Sequence, residues 1–341
     1  MRIITPSYEI VRELQIPRKI ERISRICYKS EDKIGDDTAE KMLRNLIQRK
    51  HFAMLEHASF CIQIRPDEAK KYFKFCKDLT YLQNKYGIKS YLRTTCIDSY
   101  LISGNIRAWI ETIQALMTHL GAYHYYNSLG ATLMSNICGI DPFVIPYRID
   151  TEENSVAPEE SDLTINDYIV IYEEDYKNYL SEKERMIHET MSIIFTVDRG
   201  VTHEIVRMRE ASFAQESTRY CNYSIGKFDN QLSIIKPIGF DEWSDEQKEI
   251  WTKAMTASEE AYMALMDTKM AAQMARGVLP QNIKADIAVT STLAHWHHMF
   301  ALRACDATGP AHPQMKEVMQ PLLLDAQHMY QFAFGNLKMP K

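Results

Sequence analysis

The sequence predicts an α+β fold that combines short strands with long amphipathic helices. Residues 193–197 form an apolar, largely β-branched run that is typical of a strand. The apolar alternation toward residue 64 predicts a second strand. Ser244 and Gln247 have the spacing of a capping box, and the residues after them predict a long helix through Trp251, Met255, Tyr262 and Met266.

The composition indicates a globular protein without a strong overall charge. The 341 residues are 45% apolar and 25% charged, which suits one large domain or two small ones. The net charge is −5, from 40 basic and 45 acidic residues. Because no global positive field exists, we expect neither a nucleic acid nor a membrane surface as partner. A polyphosphate ligand would need a local basic pocket.

The sequence also suggests a cellular location and a redox state. There is no apolar run of about 18 residues and no signal-peptide pattern at the start, so a cytoplasmic protein is expected. The seven cysteines are odd in number and widely spaced, without a Cys-x-x-Cys pair. This pattern predicts reduced thiols.

The N-terminal part, residues 1–64, is predicted as strand, loop, helix and strand. Asp37 is the expected cap of the helix. That helix has an apolar stripe formed by Met42, Leu43, Leu46 and Ile47.

The middle of the chain is predicted to be mostly helical. Pro66 opens one helix, with inward residues Phe73, Cys76, Leu79 and Leu82. The stretch 103–109 leads into another helix, with apolar residues Ile110, Ile113, Leu116 and Met117. Residues 151–162 are acidic and rich in turn formers, which predicts an exposed loop.

Further elements are predicted in the C-terminal third. Residues 231–236 suggest a strand and residues 290–304 a helix. Gly277 and Pro280 end the helical segment between them. Pro313 opens the last helix, in which Pro321 predicts a kink.

The most informative stretch runs from residue 198 to residue 224. Asp198 has the position of a helix N-cap after the strand 193–197. Val201, Ile205 and Met208 then keep helical apolar spacing. The other side of this helix would carry His203, Glu204 and Arg207.

A dense polar run follows that helix. It contains Ser212, Gln215, Ser217, Arg219 and Tyr220. Guanidinium groups bind phosphates bidentately, and hydroxyl and amide groups read the edges of a ring. The run therefore predicts a site for a phosphorylated heterocycle. The alternative is a solvated charged helix face followed by a loop, but the density of directional groups favours a site.

Other kinds of site are less well supported. His188-Glu189 and His203-Glu204 lack the second histidine of a zinc protease motif. His295, His297, His298 and His312 lack a matching acidic or thiol ligand, so polar packing is favoured and no metal is expected. Neither a Gly-x-Gly-x-x-Gly nor a Walker pattern occurs. Cys221 has Arg219 as a basic neighbour, but an unreactive buried thiol is the favoured interpretation.

Four stretches resemble the flavin-dependent thymidylate synthases, the ThyX family. The family signature is Arg-His-Arg, seven residues, then Ser; this chain has Arg207-Met208-Arg209, seven residues, then Ser217. A second family marker, His-x-x-x-Leu-Glu-His, ends at His57. Arg276 before Leu-Pro, and Arg303 ahead of Ala-His-Pro-Gln-Met, match two further family segments.

The resemblance implies a fold, an assembly and a domain plan. The fold would be a mixed or antiparallel sheet flanked by long helices, in a homotetramer whose sites are shared between subunits. Residues 1–65 and 188–341 would form the core, and residues 66–187 a large, mostly helical insertion.

The resemblance also implies a reaction and the residues that carry it. The reaction would be FAD-dependent C5 methylation of a pyrimidine nucleotide, most simply dUMP to dTMP, with methylenetetrahydrofolate as carbon donor and NADPH as reductant. Arg303 would be catalytic and polarise the base. The substrate would also bind Glu204, Gln215, Ser217, Arg219 and Arg276. The flavin would bind His57, Arg207, Met208, Arg209 and His298.

Three positions depart from the family pattern. Met208 replaces the central histidine, and Thr292 and Ala294 replace an asparagine and an arginine, which removes polar groups beside the implied flavin. Asn105 and Arg107 are candidates to supply substitutes. Two alternatives stay open. One is methyl or hydroxymethyl transfer to another pyrimidine nucleotide. The other is a non-catalytic paralogue that binds nucleotide or pairs with an active homologue.

Overall fold

The computed structural model describes residues 1–96, 99–120, 163 and 165–340. The chain divides into two compact units. The first consists of Met1–Val11, Ser24–Asp32 and Met191–Lys341; the second consists of Arg12–Ile23 and Lys33–Thr190. The predicted α+β class is confirmed, because both units combine helices with sheets that are mainly antiparallel. The boundaries proposed for an insertion remain a prediction.

The regular elements are numbered along the chain. The strands are β1 (Arg2–Ile4), β2 (Ser7–Ile10), β3 (Ser59–Ile64), β4 (Arg93–Thr95), β5 (Tyr100–Asn105), β6 (Tyr168–Ile171), β7 (Thr190–Asp198), β8 (Ser212–Gln215), β9 (Ser233–Ile235) and β10 (Lys284–Thr292). The helices are α1 (Ile16–Tyr28), α2 (Thr38–Gln48), α3 (Ala69–Tyr86), α4 (Ile106–Leu120), α5 (Tyr176–Tyr179), α6 (Glu182–His188), α7 (Arg199–Ile205), α8 (Asp245–Asp267), α9 (Ala272–Ala275), α10 (Leu293–Arg303), α11 (Pro313–Met329) and α12 (Gln331–Phe334).

The first unit is built on a four-stranded sheet in the order β2-β7-β10-β8. The outer pairs β2–β7 and β10–β8 are antiparallel, and β1 pairs in parallel with β9 beside this sheet. Helix α10 packs on the sheet through Trp296, whose Nε1 donates to the carbonyl of Met191 at 2.8 Å. Helix α11 is tied to β2 by the Tyr8 hydroxyl, which donates to Asp325 at 2.8 Å.

The second unit is built on an antiparallel sheet in the order β4-β5-β3-β6. Its core contains Trp109 of α4, which stacks on Phe60 of β3 with ring centroids 5.1 Å apart. Both rings are fully buried. The apolar side of α4 therefore closes one face of the sheet, as its sequence pattern predicts.

The start of the helix predicted over 290–304 was wrong. Thr290 and Ser291 belong to β10, and Thr290 pairs with Ser212 of β8. The hydroxyl of Thr292 accepts from the backbone N–H of His295 at 3.3 Å. Thr292 is thus the N-cap, and the helix begins at Leu293. The preceding strand was not predicted, because Asp286 and small residues interrupt its apolar run.

Three expectations for the N-terminal half were also wrong. Phe73 is 53% exposed, and the buried aromatic residues of α3 are Tyr72 and Phe75. The other inward residues are confirmed, since Leu82 is buried and Cys76 and Leu79 pack against the core. Asp37 precedes α2, but its side chain makes no capping hydrogen bond. Residues 1–64 also contain a second strand and helix α1, which the predicted order omitted.

Other predicted elements are confirmed. Strands occur at 190–198 and 233–235, and Ser244 and Gln247 form a capping box on α8. Pro321 lies inside α11, and the kink expected there stays a prediction. The predicted loop 151–162 lies outside the described residues. In the part of the chain that the structure describes, every helix is too short or too polar to cross a membrane.

Candidate functional site

The turn from β7 into α7 is fixed by Asp198, as its sequence position predicts. One carboxylate oxygen accepts from the backbone N–H of Val201 at 2.8 Å, and the other accepts from Gln314 Nε2 at 2.9 Å. Asp198 is buried, so its two acceptor contacts hold the start of α7 against α11. A polar cavity of about 240 Å³ opens at this turn. It is lined by Asp198, Gly200, Val201, Glu204, Gln281, Asn282, His312 and Gln314.

Helix α7 turns its two sides to different surroundings. Val201 and Ile205 are buried, Glu204 is half-buried and His203 is exposed. The helix ends at Ile205, earlier than the apolar spacing predicts, and a turn closes through the N–H of Met208 to the carbonyl of Ile205 at 3.0 Å.

The three residues of the signature point in different directions. Arg207 and Arg209 are exposed, whereas Met208 is only 6% exposed. The methionine is therefore part of the protein interior. The two guanidinium groups lie at the surface, where an anion can reach them.

Strand β8 contains the first residues of the polar run. Gln215 pairs with Ile287 of β10, and its Nε2 donates to the Thr202 hydroxyl at 3.1 Å. The N–H of Ser217 donates to the carbonyl of Cys27 at 3.1 Å, and the Ser217 hydroxyl accepts from the N–H of Arg219 at 3.3 Å. The run from 215 to 219 is therefore an ordered segment and not a solvated loop.

Two predicted phosphate ligands lie near this segment. The exposed guanidinium of Arg219 lies over the Tyr220 ring, 5.5 Å from its centroid. Arg276 follows α9, and its Nη1 donates to the Thr218 hydroxyl at 3.4 Å. The structure thus brings Ser217, Arg219 and Arg276 to one place. Thr218 was not singled out from the sequence, although its hydroxyl in the Ser-Thr-Arg run was the available signal.

Helix α10 carries the remaining predicted residues of this unit. Nε of Arg303 and Nε2 of His295 are buried and have no hydrogen-bond partner among the described residues. A buried donor without a partner costs free energy, and an anionic ligand would remove that cost at Arg303. His298 is exposed, and its ring lies 6.0 Å from the ring of His295.

Burial sets the protonation of two groups in this unit. It raises the pKa of the Cys221 thiol to about 12, with Glu216 adding to the effect and Lys284 opposing it. Cys221 is therefore the unreactive buried thiol that the sequence favours. Burial also lowers the pKa of His295, although the nearby Glu210 opposes this effect.

The residues expected around a flavin are divided between the two units. Arg207, Met208, Arg209 and His298 belong to the first unit, and the fully buried His57 belongs to the second. The exposed Arg207 and Arg209 fit the phosphates of such a cofactor, because guanidinium groups bind phosphate bidentately. The described residues contain no group of three or more His, Cys, Asp or Glu side chains that could hold a metal ion.

The structure shows the surroundings of the residues that depart from the family pattern and of their proposed substitutes. Thr292 caps α10, and Ala294 is exposed at the first turn of that helix. Of the proposed substitutes, Asn105 caps α4 by accepting from the N–H of Ala108 at 2.8 Å. Arg107 donates to Glu56 and Glu111, each at 2.7 Å. The polar groups of both proposed substitutes are thus engaged within the second unit.

Comparison with known proteins identifies relatives of one family. The family model described as Thymidylate synthase complementing protein (Thy1) matches residues 146–329. A flavin-dependent thymidylate synthase of Geobacter sulfurreducens is 32% identical over 110 residues, which cover 32% of this chain and 45% of the relative. That of Pyrococcus abyssi is 31% identical over 143 residues, which cover 40% and 57%.

The chain is also similar to a third thymidylate synthase and to a solved structure. The flavin-dependent thymidylate synthase of Mycolicibacterium vanbaalenii is 32% identical over 135 residues, which cover 35% of this chain and 51% of the relative. The chain therefore spans about half the length of the curated relatives it matches. A UMP/dUMP methylase from Streptomyces cacaoi aligns over both full chains at 13% identity with a TM-score of 0.40. That likeness is too low to carry a conclusion.

Proposed function

Because the chain belongs to the Thymidylate synthase complementing protein (Thy1) family, we propose that it is an FAD-dependent methyltransferase. It acts at C5 of a pyrimidine nucleotide, most simply converting dUMP to dTMP. The observation that carries this proposal is the half-buried Arg303, whose buried Nε has no hydrogen-bond partner among the described residues. The relatives are flavin-dependent thymidylate synthases, which supports the proposal.

In this proposal the nucleotide binds to the polar run and its neighbours. The exposed Arg276 binds the phosphate as a bidentate donor, next to Ser217 and Arg219. The close contact of Arg276 with Thr218 supports this grouping. Gln215 and Glu204 contribute further hydrogen bonds to the nucleotide.

Arg303 polarises the base. Negative charge develops on a ring carbonyl when C6 of the pyrimidine receives hydride, and a cationic fork held in place by the protein stabilises that charge. The buried Nε is shielded from water, and a charge is screened less there than at the surface.

The flavin side is assigned to the residues that the family resemblance implies. His57, Arg207, Arg209 and His298 would hold FAD, and the buried Met208 would contribute apolar packing. When bound, the flavin supplies the hydride, with NADPH as its reductant and methylenetetrahydrofolate as the one-carbon donor.

The visible absorption spectrum of the purified protein, before and after FAD addition and desalting, tests the proposal. We expect a retained flavin band that NADPH bleaches and air restores, followed by dTMP formation from dUMP and methylenetetrahydrofolate. A protein that retains no flavin after FAD addition contradicts the proposal.

The role of Arg303 has its own test. We expect Arg303→Ala to keep the flavin band and lose turnover on the order of a hundredfold. Arg2→Ala is the matched control, since Arg2 pairs with Asp229 at the surface and has no proposed role in catalysis. Full turnover of Arg303→Ala would rule out the assigned role.

A second candidate is a non-catalytic paralogue that binds nucleotide or pairs with an active homologue. The observation in its favour is the burial of Met208, where the family has a titratable histidine. A colourless protein that binds dUMP and co-purifies with a second family member would support this candidate.

A further inference from the structure

A network of four charged side chains lies next to the polar run in the first unit. Glu216 directly follows β8 and is only 2% exposed. Its carboxylate accepts from Lys284 Nζ at 2.5 Å and from the Tyr223 hydroxyl at 3.3 Å. Neither Glu216 nor Lys284 is among the site residues predicted from the sequence.

Asp286 is the second acid of this network. It accepts from Lys284 Nζ at 2.9 Å, from the Thr196 hydroxyl at 2.7 Å and from Lys29. Burial raises the pKa of Asp286, but Lys284 and Lys29 lower it more, so that the pKa falls to about 2. Asp286 is therefore ionised at neutral pH, inside the protein.

The backbone joins this network to the predicted nucleotide segment. The N–H of Glu216 donates to the carbonyl of Asp286 at 2.8 Å, and the next N–H, that of Ser217, donates to the carbonyl of Cys27 at 3.1 Å. Lys29 lies two residues after Cys27. These contacts bring together three stretches that are far apart in sequence, residues 27–29, 216–219 and 284–286. They meet beside Ser217.

Buried charges are costly, and paired charges in a protein interior often add little net stability. Removing one partner, however, leaves the other charge buried and uncompensated. Such a network therefore holds the backbone segments that carry it in one geometry, because moving any of these segments separates paired charges.

We propose that Glu216 and Lys284 are positioning residues that hold the Ser217–Arg219 backbone in its ligand-binding geometry. This inference rests on the proposed function, in which Ser217 and Arg219 bind the nucleotide. The competing interpretation is that the pair only supports the sheet between β8 and β10. The two interpretations differ in which amide groups lose protection when the pair is broken.

The test compares Lys284→Met with Lys236→Met, which breaks an exposed pair with Asp241 in the same unit. Hydrogen exchange and dUMP titration are measured on both variants. We expect Lys284→Met to lose amide protection at 216–221, keep it in α8, and bind dUMP on the order of tenfold more weakly. Turnover at saturating dUMP should change less. Lys236→Met should match the wild type.

Two further variants keep the test decisive. Lys284→Arg retains the positive charge and should recover most of the dUMP affinity. Glu216→Gln retains the shape of the side chain but not its charge, and it repeats the comparison if Lys284→Met does not fold.

The outcomes separate this inference from the proposed function. A wild-type protein that does not bind dUMP overturns the proposed function, while hydrogen exchange at 216–221 still tests the positioning. If the wild type binds dUMP and folded variants keep both protection and affinity, the positioning role is wrong. Loss of protection throughout β8, β10 and α8 together would show a merely structural pair and also overturn it.

Discussion

His188, in the second unit, shows how burial fixes the protonation state of a single residue. The side chain is fully buried, with Nδ1 2.7 Å from the Ser103 hydroxyl and Nε2 3.0 Å from the Thr95 hydroxyl. Burial, reinforced by Arg93, lowers its pKa from 6.5 to about 4, although Glu184 opposes the shift. At neutral pH the imidazole is uncharged and links two strands through hydroxyl groups.

This pKa predicts a pH dependence of stability. Between pH 6.5 and about 4 the unfolded chain binds a proton at His188 and the folded chain does not. The free energy of unfolding should therefore fall as the pH falls through this window, by at most about 3 kcal/mol from this group. Denaturant titrations at several pH values measure the slope. His188→Gln should lose this contribution; parallel curves for variant and wild type would contradict the prediction.

Met208 permits a second prediction about a single residue. Because this side chain packs inward, we expect Met208→His to bury a polar ring and lower the free energy of unfolding by about 1–3 kcal/mol. Flavin affinity should stay unchanged. Met208→Leu, which nearly conserves volume, is the control and should cost less than about 1.5 kcal/mol. Tighter flavin binding by the histidine variant would show instead that the side chain reaches the cofactor.

Among the elements, the N-cap of α7 should contribute more to stability than the N-cap of α8. Asp198 is buried and accepts from both Val201 and Gln314, whereas Ser244 caps α8 at the surface. We expect Asp198→Ala to cost about 2 kcal/mol or more, because the half-buried amide of Gln314 loses its acceptor as well as the helix its cap. Ser244→Ala should cost about 1 kcal/mol. Equal costs in denaturant titrations would show that the Gln314 contact contributes nothing.

Elements with local signals could be predicted from the sequence. The caps at Asp198 and Ser244 could be predicted because capping hydrogen bonds join residues that lie only a few positions apart in the sequence. Strand β10 could not be predicted, because the charged Asp286 interrupts its apolar pattern. The contacts of Asp286 with Lys29 and Thr196, which allow its burial, are visible only in the structure. On α3, Phe73 was wrongly predicted to face inward, since Phe73 and Phe75 fit an apolar face equally well in sequence.

At the scale of the whole chain, the site was predictable only in part. The arginines at 207, 209, 219, 276 and 303 were singled out by their match to family motifs, which does not need the fold, and their roles stay predictions. The network beneath Ser217 was not, because Lys284 and Glu216 are 68 residues apart and Lys29 and Asp286 are 257 apart. Such pairings depend on strand order and on burial, and neither leaves a periodic signal in the sequence.

The assembly is the last prediction at this scale. The family resemblance implies a homotetramer with shared sites, and sedimentation should then give about four times the 39.6 kDa chain mass.

Sharing of sites between chains can be tested separately by combining Arg219→Ala and Arg303→Ala chains that carry different affinity tags. If one site takes Arg219 from one chain and Arg303 from another, some sites of a hybrid contain both arginines, and turnover returns. If each chain forms its own site, every site lacks one arginine. Doubly purified hybrids without turnover would therefore contradict sharing between these two residues.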